Sequence, residues 1–127
     1  MTEFPADLKY TADHEWIKEG PDSILRIGIT AYAADALGDI VFVSTPTIGD
    51  TVGVGDSVVT LESTKSVSEV YSPVDGVISL VNDGAADNPE IINADPYGSG
   101  WLFEIQIAQR DQLAGLLDAD TYASTLD

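Results

Sequence analysis

The sequence predicts a mainly β fold, a sandwich or barrel of short strands with short helices at its periphery and C-terminus. Three observations predict it. Gly28, Gly38, Gly49, Gly76 and Gly84 punctuate the chain at intervals that suit short strands and turns. Ser23–Ile29 places apolar residues at Leu25, Ile27 and Ile29, the two-residue period of a half-buried strand. Several other segments between glycines are short and rich in β-branched residues.

In chain order, Ser23–Ile29 is the first predicted strand. Ala31–Leu37 follows as a short helix, because its residues favour helix, Thr30 can cap it and Gly38 can stop it. Asp39–Ser44 reads as a strand from its run Ile-Val-Phe-Val. Gly76–Val81 and Gly100–Ile107 read the same way, and if the latter is a core strand Trp101 is a large buried residue whose truncation is costly. At the C-terminus, Asp111 and Asp118 are expected to cap helices over 112–117 and 119–126, forming a helical extension over 111–126. Leu113, Leu116 and Leu117 would share one face of it.

Length and charge bound the function. The chain has 127 residues, which fits one domain over 1–127. It carries 22 acidic against 5 basic side chains, a net charge of −17. Phosphate binding needs Lys and Arg, so a nucleic-acid partner is not expected, nor docking on an anionic membrane. No apolar run is long enough to span a bilayer. The field of such a chain favours fast encounter with more basic proteins. There is no cysteine, which excludes disulfides and thiol catalysis. The N-terminus lacks a basic segment followed by an apolar one, and lacks transit-peptide composition, so the cytoplasm is the expected location.

Enzyme motifs are missing. The single histidine, His14, has no second histidine for a zinc-protease pair and no Gly-x-Ser-x-Gly nucleophile to serve. It reads as a partly buried residue ordering a turn beside Trp16. No phosphate loop or calcium loop occurs, so no metal is expected.

The lysines are scarce and therefore informative. Lys9 and Lys18 lie in a polar stretch and read as solvated charge. Lys65 lies between Gly-Asp at 55–56 and Asp-Gly at 75–76. The flanks Ser57–Glu62 and Val67–Tyr71 suit two strands of nearly equal length. They predict a hairpin over 55–76 with Lys65 at or next to its tip. Ser63, Thr64 and Ser66 are small and polar, as a turn requires. An amine presented this way is accessible to a modifying enzyme, and an attached arm can swing past its small neighbours.

The segment Glu62-Ser63-Thr64-Lys65-Ser66-Val67-Ser68-Glu69-Val70-Tyr71-Ser72-Pro73-Val74-Asp75-Gly76 resembles the lipoyl-lysine region of glycine cleavage system H proteins. The resemblance extends in order through Tyr10–Trp16, Gly28–Ala33, Leu37–Val43, Ile92–Leu102 and Leu116–Tyr122, covering about Leu8 to Leu126. Biotinyl carriers usually flank their lysine with methionine, and here the only methionine is Met1. The resemblance departs at Thr45–Gly49, where a Leu-Pro-Glu type sequence is common, and at Ala31 and Glu69, where Asp is often found.

The resemblance implies a lipoyl-domain-like flattened β-barrel/sandwich, a barrel-sandwich hybrid. It implies a carrier, not an enzyme, with lipoate amide-linked to Lys65 and Glu62, Ser63, Thr64 and Ser66 as the tip context. Glycine decarboxylase, aminomethyltransferase and dihydrolipoamide dehydrogenase are the implied partners, with a lipoyl ligase or transferase to load the lysine. Glycine catabolism and one-carbon metabolism are the implied setting. Glu15 and Glu69 are implied as carboxylate partners of the loaded arm. An alternative within the resemblance is an H-like lipoate relay protein that donates lipoyl groups to other enzymes. A monomer is the simplest expectation for a mobile shuttle.

Overall fold

The structure, a computed structural model, describes residues 4–108 and 110–126, with the backbone alone for 110–112. Among the described residues nine strands form in chain order: β1 Lys9–Tyr10, β2 Glu15–Glu19, β3 Ile24–Ile29, β4 Ile40–Ser44, β5 Thr51–Val52, β6 Ser57–Ser63, β7 Val67–Tyr71, β8 Gly76–Val81 and β9 Phe103–Gln106. Helices α1 Ala31–Leu37, α2 Asp83–Asp87, α3 Glu90–Ala94 and α4 Ala119–Ser124 sit between and after them. All pairings are antiparallel, in a six-stranded sheet β1-β2-β3-β9-β8-β5 and a three-stranded sheet β4-β6-β7.

The two sheets share one core. Ile17, Leu25, Ile27, Phe103 and Ile105 from the larger sheet join Val43, Val59, Leu61 and Val70 from the smaller in a single buried cluster. Each such side chain contributes about 1.5–3 kcal/mol through the area it removes from water. A second cluster, Leu8, Tyr10, Trp16 and Tyr122, fastens the N-terminal segment to α4. The Tyr10 and Tyr122 rings stack at 4.9 Å. Trp16 lies flat over Gly28: a Cβ there would stand 2.6 Å from the indole. Its Nε1–H donates to the Pro96 carbonyl at 2.8 Å.

Most predicted elements form where expected. β8 spans the predicted Gly76–Val81, and α1 the predicted Ala31–Leu37 with Thr30 Oγ1 accepting from the Ala33 amide at 3.3 Å. The C-terminal extension differs. Residues 112–117 are not an α-helix: a 3-10 turn covers Arg110–Gly115, and Leu117 exchanges both backbone hydrogen bonds with Tyr10 at 2.8 Å. Gly115 disfavours helix, and the exposed edge of β1 competes for the Leu117 backbone groups. The three leucines accordingly divide, with Leu113 and Leu116 packing on the main core and Leu117 on the second cluster. Asp118 does cap α4, accepting from the Thr121 amide at 2.8 Å. The expected cap at Asp111 falls on a side chain outside the described residues.

The Gly100–Ile107 strand is shorter than expected. Trp101 precedes it, half-buried, with the Arg26 guanidinium 4.4 Å over its ring. It is therefore not a core strand residue. Helices α2 and α3 were not foreseen, being five residues each, and the predicted break at Gly84 lies inside α2.

Candidate functional site

β6 and β7 pair from Ser57↔Tyr71 to Glu62↔Val67, with one register shift between Ser57 and Val59, leaving the tip Ser63–Ser66. The Ser63 amide donates to the Ser66 carbonyl at 2.8 Å and closes the turn. Ser63 Oγ accepts from the amides of Lys65 at 3.2 Å and Ser66 at 3.0 Å. This is how a serine stabilises a tight turn without a glycine. Glu62, Thr64, Lys65 and Ser66 are exposed, and Ser63 is half-buried. Lys65 thus stands at the tip, as its flanks predict.

The tip also rests on a second segment. The Thr64 amide donates to the Asp39 carbonyl at 3.0 Å. Gly38 has φ +79° and ψ −159°, a conformation that only glycine adopts readily. A Cβ on Gly38 would lie 3.0 Å from Lys65 Cε and 3.6 Å from Cδ, so the lysine stem lies along the bare glycine. Asn93 on α3 holds this seat. Its Oδ1 accepts from the Ile40 amide at 2.9 Å, and its Nδ2 donates to the carbonyls of Gly38 at 2.8 Å and Ala34 at 3.3 Å.

A cleft of about 330 Å³ opens beside the seat, between α1 and β7. Leu37, next to Gly38, forms one wall, and Glu15, Ser68 and Glu69 form others. The structure therefore brings Glu15 and Glu69 to one cleft. Their environments differ sharply. Glu15 is 2% exposed, and its carboxylate accepts from the Tyr71 amide at 2.8 Å and Thr11 Oγ1 at 3.1 Å. Burial pushes its pKa up to about 7, against the two hydrogen bonds and with a further push from Asp13. Glu69 is exposed, and hydrogen bonds from the Ser57 and Thr60 hydroxyls hold its carboxyl below the usual value. One carboxyl is poised to change charge near neutrality, and the other stays ionised.

His14 is half-buried at φ +68°. Its Nδ1 lies 2.7 Å from the Tyr122 hydroxyl, which lies 2.9 Å from Thr30 Oγ1. Its ring packs against Tyr32 and Tyr122, so the turn it orders is tied to α4. Burial lowers its pKa.

Lys9 is half-buried and Lys18 exposed. Sequence reasoning missed Asn93, the Gly38 seat and the anchor Thr11. A glycine following a helix was visible as a stop signal, but its contact with a residue 27 positions later was not. Among the described residues, no group of three or more His, Asp or Glu could hold a metal ion, and no helix is long and apolar enough to cross a membrane.

Comparisons with known proteins give the same direction. The family model described as Glycine cleavage H-protein matches residues 8–127. A glycine cleavage system H protein from Kocuria rhizophila is 50% identical over 128 residues, covering 100% of both chains. One from Mycobacterium bovis (strain BCG / Pasteur 1173P2) is 48% identical over 132 residues, covering 99% of this chain and 98% of its own. The crystal structure of a glycine cleavage system H protein from Mycobacterium marinum superposes with TM-score 0.88 at 46% identity, covering 97% of this chain and 98% of that one.

Proposed function

The chain belongs to the glycine cleavage H-protein family, and from that premise we propose that it is the lipoyl-bearing shuttle of a glycine cleavage system. In this reading residues 1–127 form one lipoyl-carrier domain, a carrier rather than an enzyme. The observation that carries it is Lys65, an exposed amine on a turn closed by Ser63 and seated on Gly38 and Asp39.

The tip fits a covalently attached arm. Its backbone is pinned at four amides, those of Ser63, Thr64, Lys65 and Ser66, so the amine has a fixed origin. Thr64 and Ser66 on either side are exposed and small, so they leave an arm room to turn. Lipoate, amide-linked to the Lys65 Nζ, supplies a dithiolane able to accept and release the aminomethyl group of glycine. The protein then serves glycine decarboxylase, aminomethyltransferase and dihydrolipoamide dehydrogenase in turn, after a lipoyl ligase or transferase has loaded Lys65. Tethering raises the effective concentration of the carried group at each active site.

Glu15 and Glu69 are the proposed partners of an amine held in the cleft. Glu69 lies four residues along β7 from Lys65, about 13 Å at the usual strand rise, within the scale of an extended arm. An ammonium entering beside Glu15 favours its ionised form and offsets the burial that raises its pKa. The proposed setting is a monomer in the cytoplasm.

The test is exchange of labelled bicarbonate into glycine by purified glycine decarboxylase. The lipoylated protein should support exchange, and Lys65→Ala should not. A lipoylated protein that supports none would favour the lipoate relay role.

A further inference from the structure

The chain has three lysines, and a modifying enzyme must select one. Serine and threonine beside Lys65 give little to recognise, so selection needs a rigid and distinctive surface next to the tip. The outer face of β4-β6-β7 supplies one. Phe42, Glu62 and Val67 lie opposite one another across the three strands, in the pair row nearest the β6–β7 turn. Phe42 is 50% exposed and Val67 63% exposed.

A β-bulge builds this face. The register of β4 on β6 slips between Ile40↔Ser63 and Phe42↔Glu62, leaving Val41 as an extra residue. Strand alternation would turn one of two neighbours inward, but here Val41 at 57% exposure and Phe42 both face solvent while Ile40 and Val43 are buried. Three large apolar side chains are thus kept in water beside the lysine. Their own core does not need them, and their exposure works against solubility. Glu62 and Asp39, both exposed, give the face an acidic border.

We infer that Val41, Phe42 and Val67 form the docking face for the enzyme that attaches the lipoyl group, through an apolar pocket bordered by Lys or Arg on that enzyme. The inference rests on the carrier reading and deepens it. The face exists before modification, it adjoins the amine to be modified, and its border complements a basic rim. Aromatic side chains at the centre of such contacts carry a large share of the affinity. A face used only for docking acts equally on ground and transition states, so its loss raises KM and leaves kcat unchanged.

The test is lipoylation of Lys65 by a purified lipoyl ligase with lipoate and ATP, followed by intact mass. Phe42→Ser and Val67→Ser should each raise the KM for the carrier about tenfold, with kcat unchanged. Ile48→Ser, at a residue 59% exposed on another loop, should match the wild type. Thermal melts of the purified carriers confirm that the variants are folded. Unchanged KM for folded Phe42→Ser and Val67→Ser would overturn the inference, as would an equal rise for Ile48→Ser. A concentration-dependent dimer lost in Phe42→Ser, with KM unchanged, would assign the face to a second copy of this chain. A wild-type protein that gains no lipoyl group would overturn the carrier reading itself and this inference with it.

Discussion

Asn93 and Gly38 are joined by a hydrogen bond of 2.8 Å from the Asn93 side chain to the Gly38 carbonyl, and this bond fixes the surface on which the Lys65 stem lies. Asn93 uses its amide fully: both protons reach carbonyls at the end of α1, and its oxygen receives the Ile40 amide. A residue on α3 thereby sets the position of a hairpin tip 28 positions earlier in the chain.

Gly38→Ala should be destabilising by about 1–3 kcal/mol, because the backbone there suits glycine alone. The new methyl would also displace the lysine stem. The midpoint of urea unfolding checks the first effect. An unchanged midpoint would show that the Gly38 backbone relaxes freely.

Asn93→Ala leaves the Ile40 amide and the Gly38 carbonyl without this partner, while the Ala34 carbonyl keeps the Gly38 amide at 3.2 Å. A loss of about 1–3 kcal/mol is expected, the usual consequence of orphaning polar groups that are partly or fully buried. Amide exchange at Ile40 should accelerate in the same variant, and equal exchange would place the segment's rigidity elsewhere.

Glu15 gives the protein a pH dependence of known sign. Its carboxyl titrates near 7 when folded, against 4.5 as the ordinary value, so the folded state holds the proton more tightly. Its contribution to stability is fully present below about pH 4.5 and is lost as the pH rises through 7. Glu15→Gln removes the titration while keeping an acceptor for the Tyr71 amide. The stability of the variant relative to wild type should therefore rise between pH 5 and pH 8, by at most about 3 kcal/mol. Urea midpoints of both proteins at the two pH values measure it, and a constant difference would contradict the buried-carboxyl account.

The two tryptophans should respond differently. Trp16, 1% exposed and bonded to Pro96, should cost about 3–5 kcal/mol when replaced by alanine. Trp101 is half-buried and stacked on Arg26, so Trp101→Ala should cost about 1–2 kcal/mol. Equal losses would mean that Trp101 is a core residue after all.

The parts of the fold legible in the sequence are those set by local pattern. Period-two alternation located β3, and the symmetric flanks of Lys65 located the β6–β7 hairpin. β2 carries no two-residue period because Glu15, Trp16 and Ile17 are buried in succession, and Glu15's partners Thr11 and Tyr71 come from the fold. The 112–117 segment was misread because Leu117 completes the edge of β1, a long-range pairing that no helical period reveals. At the site, Lys65 was legible because the tip is built from residues adjacent in sequence. The Gly38 seat, Asn93 and the Val41–Phe42 bulge were not, because each depends on a contact between distant segments.

The most direct test of the central claim is the intact mass of the protein co-expressed with a lipoyl ligase, beside that of Lys65→Ala. The wild type should gain one lipoyl group and Lys65→Ala none, with the variant's stability within about 0.5 kcal/mol of wild type because the side chain is exposed. A wild type without the increment, or a Lys65→Ala protein that keeps it, would contradict Lys65 as the attachment site.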